Sequence, residues 1–388
     1  MSVPSLATAA FMADEELSIF ANSVGRFLDD VASPDAIEGW RQAKHVDRVV
    51  WRQAGDAGLL GVSVPVEYGG AGGDFRHEAA IIEEIGHRGA DALTICLHNA
   101  VILPYLLSFG TEAQKRRWVP RLCSGEMVAA IAMTEPGAGS DLQAMRTAAR
   151  RDGDGYAISG QKTFISNGQI ANLIIVAAKT DPTAGSRSLS LFVVETDGAG
   201  PSFQRGRNLD KVGQEGQDTS ELFFDAHHVS ADCLLGEVEG EGMAQLMQKL
   251  PQERLVIAWQ SISMIERALA VTLEHVKQRQ IFGQPLLAFQ NTQFTLAEYK
   301  TEATIARVFV NECTARLLAG TLDSATASMA KYWVSDLLSK IVDGCLQLFG
   351  GYGYMNEYPI ARMYRDSRIH RIYGGANEVM KLLIARAL

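Results

Sequence analysis

Few carboxylates in this sequence stand where a general base could be aimed. Glu253 lies in residues 250–255, LPQERL, directly before Arg254. Pro251 suits the first turn of a helix, where an acid is ordinary, so on helix grounds alone Glu253 reads as a first-turn acid. Glu135 and Asp141 lie in residues 133–141, MTEPGAGSD, after an apolar strand. Two glycines there let backbone approach a ligand, and Thr134 and Ser140 offer hydroxyls beside Met133. By itself this loop reads equally as a ligand loop or a plain turn, and both acids are expected to order it through backbone hydrogen bonds. Residues 160–168, GQKTFISNG, add an aromatic face at Phe164, then Ile165 and the hydroxyl of Ser166.

Three C-terminal segments could hold phosphate or close on a ligand. Residues 279–283, RQIFG, follow a helix, with Gln290 downstream; residues 347–353, QLFGGYG, sit between helices; residues 372–378, IYGGANE, precede the last helix. The fork of Arg279 suits phosphate, although alone it reads as a solvated helix end. Glu378 reads as an ordinary acid at a helix start. The eight histidines show no ligand spacing. The adjacent pair His227 and His228 reads as a solvated turn, so no metal is expected.

Around these segments the period of apolar residues changes twice. Leu17, Phe20, Val24, Phe27, Leu28 and Val31 recur at helical spacing after the acids at 14–16, and further helices are expected over 48–60, 77–88, 91–109 and 112–122. The glycine-rich residues 64–73 read as a connection, since they lack the Lys-Ser/Thr end of a phosphate loop. Short β-type runs then occupy 128–133, 156–159, 162–165, 173–178, 189–195 and 222–224. The helical period returns from Gly240, where Met243, Met247 and Met264 fit packing and Trp259 reads as core or as a pocket floor. Helices, then strands, then helices do not alternate, so a Rossmann arrangement is not expected.

With 388 residues, two or three domains are expected. A net charge of −9 disfavours a nucleic-acid surface. Five scattered cysteines, without a Cys-x-x-Cys pair, read as reduced thiols. Neither a leader nor a run of 18 uncharged apolar residues is visible, so a soluble, cytoplasmic protein without a membrane span is expected.

Taken together, 133–141 and 160–168 resemble the flavin-binding middle domain of the acyl-CoA dehydrogenase family, and the three C-terminal segments agree in order over nearly the whole chain. The resemblance implies a multidomain α+β fold: a helical domain over 1–125, a β-barrel-like domain over 126–238 and a four-helix bundle over 239–388. It implies FAD as cofactor, with Met133 and Thr134 beside the flavin, Phe164 and Ile165 at a ring face and Ser166 near the reactive nitrogen. Arg279, Phe282, Gln290, Gln347, Gly350 and Gly351 would serve the ADP half, from a neighbouring chain, and Ala376, Asn377 and Glu378 the flavin side of the last loop. Ser140, Arg254, Gly374 and Gly375 would meet the thioester and coenzyme A. Many members place the catalytic Glu directly after the loop tyrosine; here Tyr373 is followed by Gly374, which has no side chain to take a proton. The long-chain and isovaleryl branch keeps a Glu before an Arg on a helix, and Glu253 with Arg254 matches it. Glu253 is therefore the expected base, with the Gly374 N–H polarising the thioester carbonyl. Ala376 departs from relatives that carry Thr there. A homotetramer or dimer of dimers, passing electrons to an electron-transfer flavoprotein, is the implied setting. An oxygen-using acyl-CoA oxidase or flavin monooxygenase is the alternative; a nucleic-acid-binding flavoprotein and a carrier-protein thioester enzyme are further rivals.

Overall fold

The computed structural model describes residues 14–388. The expectation of no leader, and the start of the first expected domain, concern residues 1–13 and lie outside it.

The first helices are set by their caps. Asp14 accepts from the Glu16 amide and opens α1 (Glu15–Val31). Asp47 opens α3 (Arg48–Asp56), and Thr111 with Gln114 forms a capping box on α6 (Glu112–Cys123). Between α1 and α3 stands α2 (Pro34–Ala43), a helix not expected from periodicity, although Ser33 as cap and Pro34 at the first position were a legible signal. α4 spans Phe75–Arg88. The single helix expected over 91–109 is instead broken: a π-helical turn, Leu97–Ile102, runs into the short α5 (Leu103–Phe109). Pro104 supplies the reason, since it cannot donate to the carbonyl four residues back.

Seven strands make one sheet: β1 (Ala129–Ala132), β2 (Ala148–Asp152), β3 (Gly155–Ser166), β4 (Leu173–Lys179), β5 (Leu189–Glu195), β6 (Phe203–Asn208) and β7 (Thr219–Ser230). Their order is β1-β4-β2-β3-β7-β6, with β5 on β4. β4 is buried on both faces. Leu173, Ile175 and Ala177 enter the core shared with the N-terminal helices, while Ile174, Val176 and Ala178 enter the core on the sheet's other side. That is why its sequence is a continuous apolar run. The two runs expected at 156–159 and 162–165 are one strand, β3, interrupted by bulges. β2 and β6 were missed because polar residues dominate both. His227 and His228 lie in β7 rather than in a turn; His227 is buried against Ser202, 2.9 Å away.

The C-terminal layer is α7 (Gly242–Gln278), a hairpin of β8 (Gln280–Ile281) and β9 (Gln284–Pro285), then α8 (Gln290–Leu318), α9 (Ser324–Leu348), α10 (Pro359–Asp366) and α11 (Asn377–Ala385). Leu255, Trp259 and Ile262 of α7 pack with Val310, Leu338 and Ile341 of its neighbours. Pro251 lies inside the 37-residue α7, not in a first turn as expected. By length and apolar content α7 could cross a membrane, but its most apolar window is 83% buried within the protein, as befits a core helix. All five cysteines are free and buried. Trp259 is core, donating to the Thr314 hydroxyl at 2.9 Å. Met264 is buried, whereas Met247 is exposed.

Candidate active site

Glu253 sits two residues past Pro251 on α7 and is 7% exposed. Burial pushes its carboxyl up to about 7, while the hydroxyl of Tyr105 and the charges of Arg254 and Lys249 pull the other way. A base poised there is ionised near neutral pH and still basic enough to take a proton. Tyr105, from α5, donates to Glu253 Oε1 at 2.6 Å. Arg254 is also buried. Its Nη1 donates to the Ser324 hydroxyl at 2.7 Å and the Ser328 hydroxyl at 3.2 Å, both on α9. The guanidinium thus ties α7 to α9.

One helical turn beyond Glu253, on the same face of α7, stands Ile257. The loop carrying Gly374 closes against it. A Cβ on Gly374 would fall well inside contact distance of Ile257 Cδ1, and Gly374 has φ +61°. Ile257 Cδ1 is the movable end of its side chain, so the left-handed φ is what favours glycine at 374, one helical turn from the buried Glu253. Gly375, at φ +95°, is likewise in the left-handed region, with the movable Met380 Cε 2.6 Å from where a Cβ would stand.

Lys331 of α9, which sequence reasoning missed, holds this loop. It is fully buried and donates to the Gly375 carbonyl at 2.7 Å and to Asn377 Oδ1 at 2.8 Å. Burial brings its ammonium down to about 8. Asn377 turns its amide toward α9, donating to Ser335 Oγ and Asp336 Oδ1, each at 3.0 Å. Its side chain thus fixes the start of α11, beside the half-buried Ala376 and the exposed Glu378.

The middle-domain loops meet each other. The Thr163 amide donates to the Thr134 carbonyl at 2.9 Å. Glu135 orders its loop, as expected: it accepts from the amides of Arg146 and Thr147 at 2.7 and 2.9 Å and from Lys162 Nζ at 2.8 Å. Burial raises its carboxyl, but Lys162 and the amides prevail and hold it below its ordinary value. Asp141 caps a short turn through the Gln143 amide at 3.1 Å. Both oxygens of Glu135 are thus engaged, and Asp141 is exposed with one oxygen on its turn.

Phe164 sits at a register shift in β3, at φ +60° and 67% exposed. A bulky aromatic held in the left-handed region is strained, and such strain gathers at ligand sites. Ile165 points the other way, into the sheet core, so only its backbone can face a ligand at the bulge. Ser166, Met133 and Thr134 are half-buried and Ser140 is exposed. Added Cβ atoms on Gly137 would meet nothing within 4 Å, and on Gly139 only the Thr134 methyl. An exposed ring, an open glycine backbone and hydroxyls on adjoining loops fit a flat aromatic cofactor such as a flavin.

The remaining predicted residues form a separate cluster at the far end of α7. Arg279 caps that helix and lies over the Tyr352 ring at 5.6 Å, which joins the 279–283 and 347–353 segments. Gln347 falls in the last turn of α9 rather than between helices; Gly350 and Gly351 follow it, exposed. Phe282, at the hairpin tip, is 93% exposed, and Gln290 begins α8. Along a helix rising 1.5 Å per residue, Arg279 is about 39 Å from Glu253, too far for both to flank one ring system.

Two further side-chain groupings lie away from these residues. Glu83, His87 and Glu266 have the spacing of metal ligands, but Arg307 bridges the two acids at 2.8 and 2.5 Å. A groove of about 500 Å³ is lined by Gly160, Phe223, Asp225 and neighbours on β3 and β7, and none of the predicted site residues lines it.

Three family models match in order: the acyl-CoA dehydrogenase N-terminal domain over residues 14–126, the middle domain over 130–227 and the C-terminal domain over 240–388. The chain is 44% identical to the mitochondrial long-chain specific acyl-CoA dehydrogenase of Mus musculus over 375 residues, covering 96% of this chain and 86% of the relative. It is 33% identical to the mitochondrial isovaleryl-CoA dehydrogenase of Solanum tuberosum over 390 residues, covering 98% and 92%. The crystal structure of an acyl-CoA dehydrogenase from Geobacillus kaustophilus superposes with a TM-score of 0.95 at 45% identity, covering 98% of this chain and 99% of that one.

Proposed function

Because the chain belongs to the acyl-CoA dehydrogenase family, whose members are FAD flavoproteins, we propose that it removes the α-proton of an acyl-CoA thioester through Glu253 in forming the trans-2-enoyl-CoA. The observation that carries this reading is the pairing of a buried Glu253 with a Gly374 in the left-handed region, whose loop closes on α7 at Ile257. FAD, when bound, supplies the hydride acceptor for the β-carbon. Thr134, Phe164 and Ser166 would line its ring.

The α-proton of a thioester is weakly acidic, so its carbonyl must be polarised while a base stands within reach. The Gly374 N–H is suited to the first task, since a backbone donor needs no side chain. Lys331 keeps that backbone in place through the Gly375 carbonyl. Glu253 has the second task. Ser140 and Gly375 border the thioester side, and Arg254 contributes by fixing α7 against α9.

The distance between Glu253 and the Arg279 cluster supports a shared cofactor arrangement, in which Arg279, Phe282 and Gln290 reach the ADP half held by a neighbouring copy. The exposed Phe294, Ile305 and Val308 on α8 support a homotetramer, because large apolar side chains on one helix face call for a partner. An electron-transfer flavoprotein is the acceptor that the family resemblance favours, and the free buried cysteines are in keeping with a reducing, cytoplasmic setting.

The test is turnover of acyl-CoAs of graded length and branching with an electron-transfer flavoprotein under nitrogen, compared with peroxide formation in air. Acceptor-dependent enoyl-CoA formation supports the proposal. Rapid hydrogen peroxide release in air, without need of the acceptor, would replace it with an oxidase.

A further inference from the structure

We infer that Tyr105 is the positioning residue for Glu253: its phenol holds Oε1 and leaves Oε2 to take the substrate proton. The inference rests on the reading of Glu253 as the base. Tyr105 is 0% exposed, and its hydroxyl lies 2.6 Å from Oε1 although 148 residues separate the two. The contact joins the helical N-terminal region to the helix that bears the chemistry.

The same short segment grips the preceding residue as well. Pro104 has no N–H to give the Ala100 carbonyl an α-type bond, and Gln252 Nε2 donates to that carbonyl at 2.8 Å. Consecutive side chains of α7 are thus held by one stretch of π-helix and α5. The two bonds together fix the register of α7 against that stretch at Gln252 and Glu253. π-Helical turns of this kind are frequent at functional sites.

The charged groups facing the carboxylate are few. Lys249 and Arg254 come from α7 itself; Lys249 lies over the Phe109 ring at 5.4 Å and Arg254 is engaged by Ser324 and Ser328. From α5 comes Tyr105, and among the described residues it alone is hydrogen-bonded to the carboxylate. A donor to the ionised form favours ionisation, in opposition to burial. In the proton-transfer step the α C–H bond breaks, its proton passes to Oε2, and the electron pair remains on the thioester as its enolate. Tyr105 keeps its own proton throughout.

The step can be read without hydride transfer, using an FAD-loaded enzyme and a 3-thia-acyl-CoA, whose β position is sulfur and has no hydride to give. Deuterium uptake at the α-carbon in D₂O is measured against pH by mass spectrometry. For Tyr105→Phe the half-point of exchange is expected about one pH unit above that of the parent, with about tenfold slower exchange on the acid side. Replacing Tyr105 by a fluorotyrosine, a stronger donor of nearly the same size, is expected to move the half-point down, and this keeps the inference testable should the Phe variant fold poorly. A half-point unmoved by both changes overturns the role of Tyr105. Glu253→Gln serves as the reference. If it is silent while the Tyr105 variants do not shift, only the positioning role fails; if it still exchanges, the reading of Glu253 as base fails and the positioning role falls with it.

Discussion

At the scale of single residues, Glu253 and Gly374 are two halves of one arrangement. The left-handed φ at 374 disfavours a glutamate there, and Glu253 brings a buried carboxylate one helical turn from Ile257, on which that loop closes. Glu253→Gln is expected to lower turnover about 10²–10⁴-fold while leaving FAD content unchanged. Because burial lifts the Glu253 carboxyl to about 7, kcat/KM should rise with pH through the neutral region and fall about tenfold per unit below it, as the base becomes protonated. A flat profile between pH 5 and 8 would contradict that assignment. Gly374→Ala combines a left-handed φ with a clash, and should destabilise the fold by roughly 1–2 kcal/mol in denaturant titration. The glycine itself was legible in the sequence, as a departure from the family's usual loop. Its loop's closure on Ile257 was not, since Ile257 is 117 positions away in the chain and nothing local marks the contact.

Elements decide whether these residues meet. α7 carries Glu253, Arg254 and Ile257, and it is held from three sides: by α5 through Tyr105, by α9 through Arg254, and by the 372–376 loop through Gly374. Lys331 of α9 pins that loop. Lys331→Met would leave the Gly375 carbonyl and Asn377 Oδ1 short of a donor, and should cost about 1–3 kcal/mol while raising KM for the thioester. Calorimetry and steady-state kinetics on the same preparation check both. Much at this scale could be read in advance. The cap at Asp14, the succession of helical, then β-type, then helical runs, and the 133–141 and 160–168 segments all rest on neighbours in sequence. What escaped were elements whose signals were weak or non-local: β2 and β6, rich in polar residues; the π-helical break before Pro104; and the continuation of α7 through Pro251. Lys331 and Tyr105 escaped for the same reason. A lysine and a tyrosine on amphipathic helices carry no mark of the partners that folding brings to them.

Over the whole molecule, contacts between the N-terminal and C-terminal helices hold α7 in place, and the proposed cofactor arrangement calls for a second copy of the chain. Arg307 of α8 bridges Glu83 of α4 and Glu266 of α7, in a nearly dry junction of the N-terminal and C-terminal helices. Arg307→Met removes the guanidinium that Glu83 and Glu266 share and leaves Glu266 only His87 at 2.9 Å, and a loss of about 3–5 kcal/mol in unfolding free energy is expected. The apolar face of α8 predicts association: Ile305→Glu should shift sedimentation from a tetramer to a smaller species and weaken FAD retention, whereas an unchanged sedimentation coefficient would remove α8 from the interface. The central claim is that Glu253 starts α,β-dehydrogenation beside a bound FAD, and the most direct measurement is anaerobic stopped-flow bleaching of the flavin by a panel of acyl-CoAs, with the parent protein and Glu253→Gln side by side. Rapid bleaching by at least one acyl-CoA is expected in the parent and almost none in the variant. Bleaching at full rate in Glu253→Gln would contradict it.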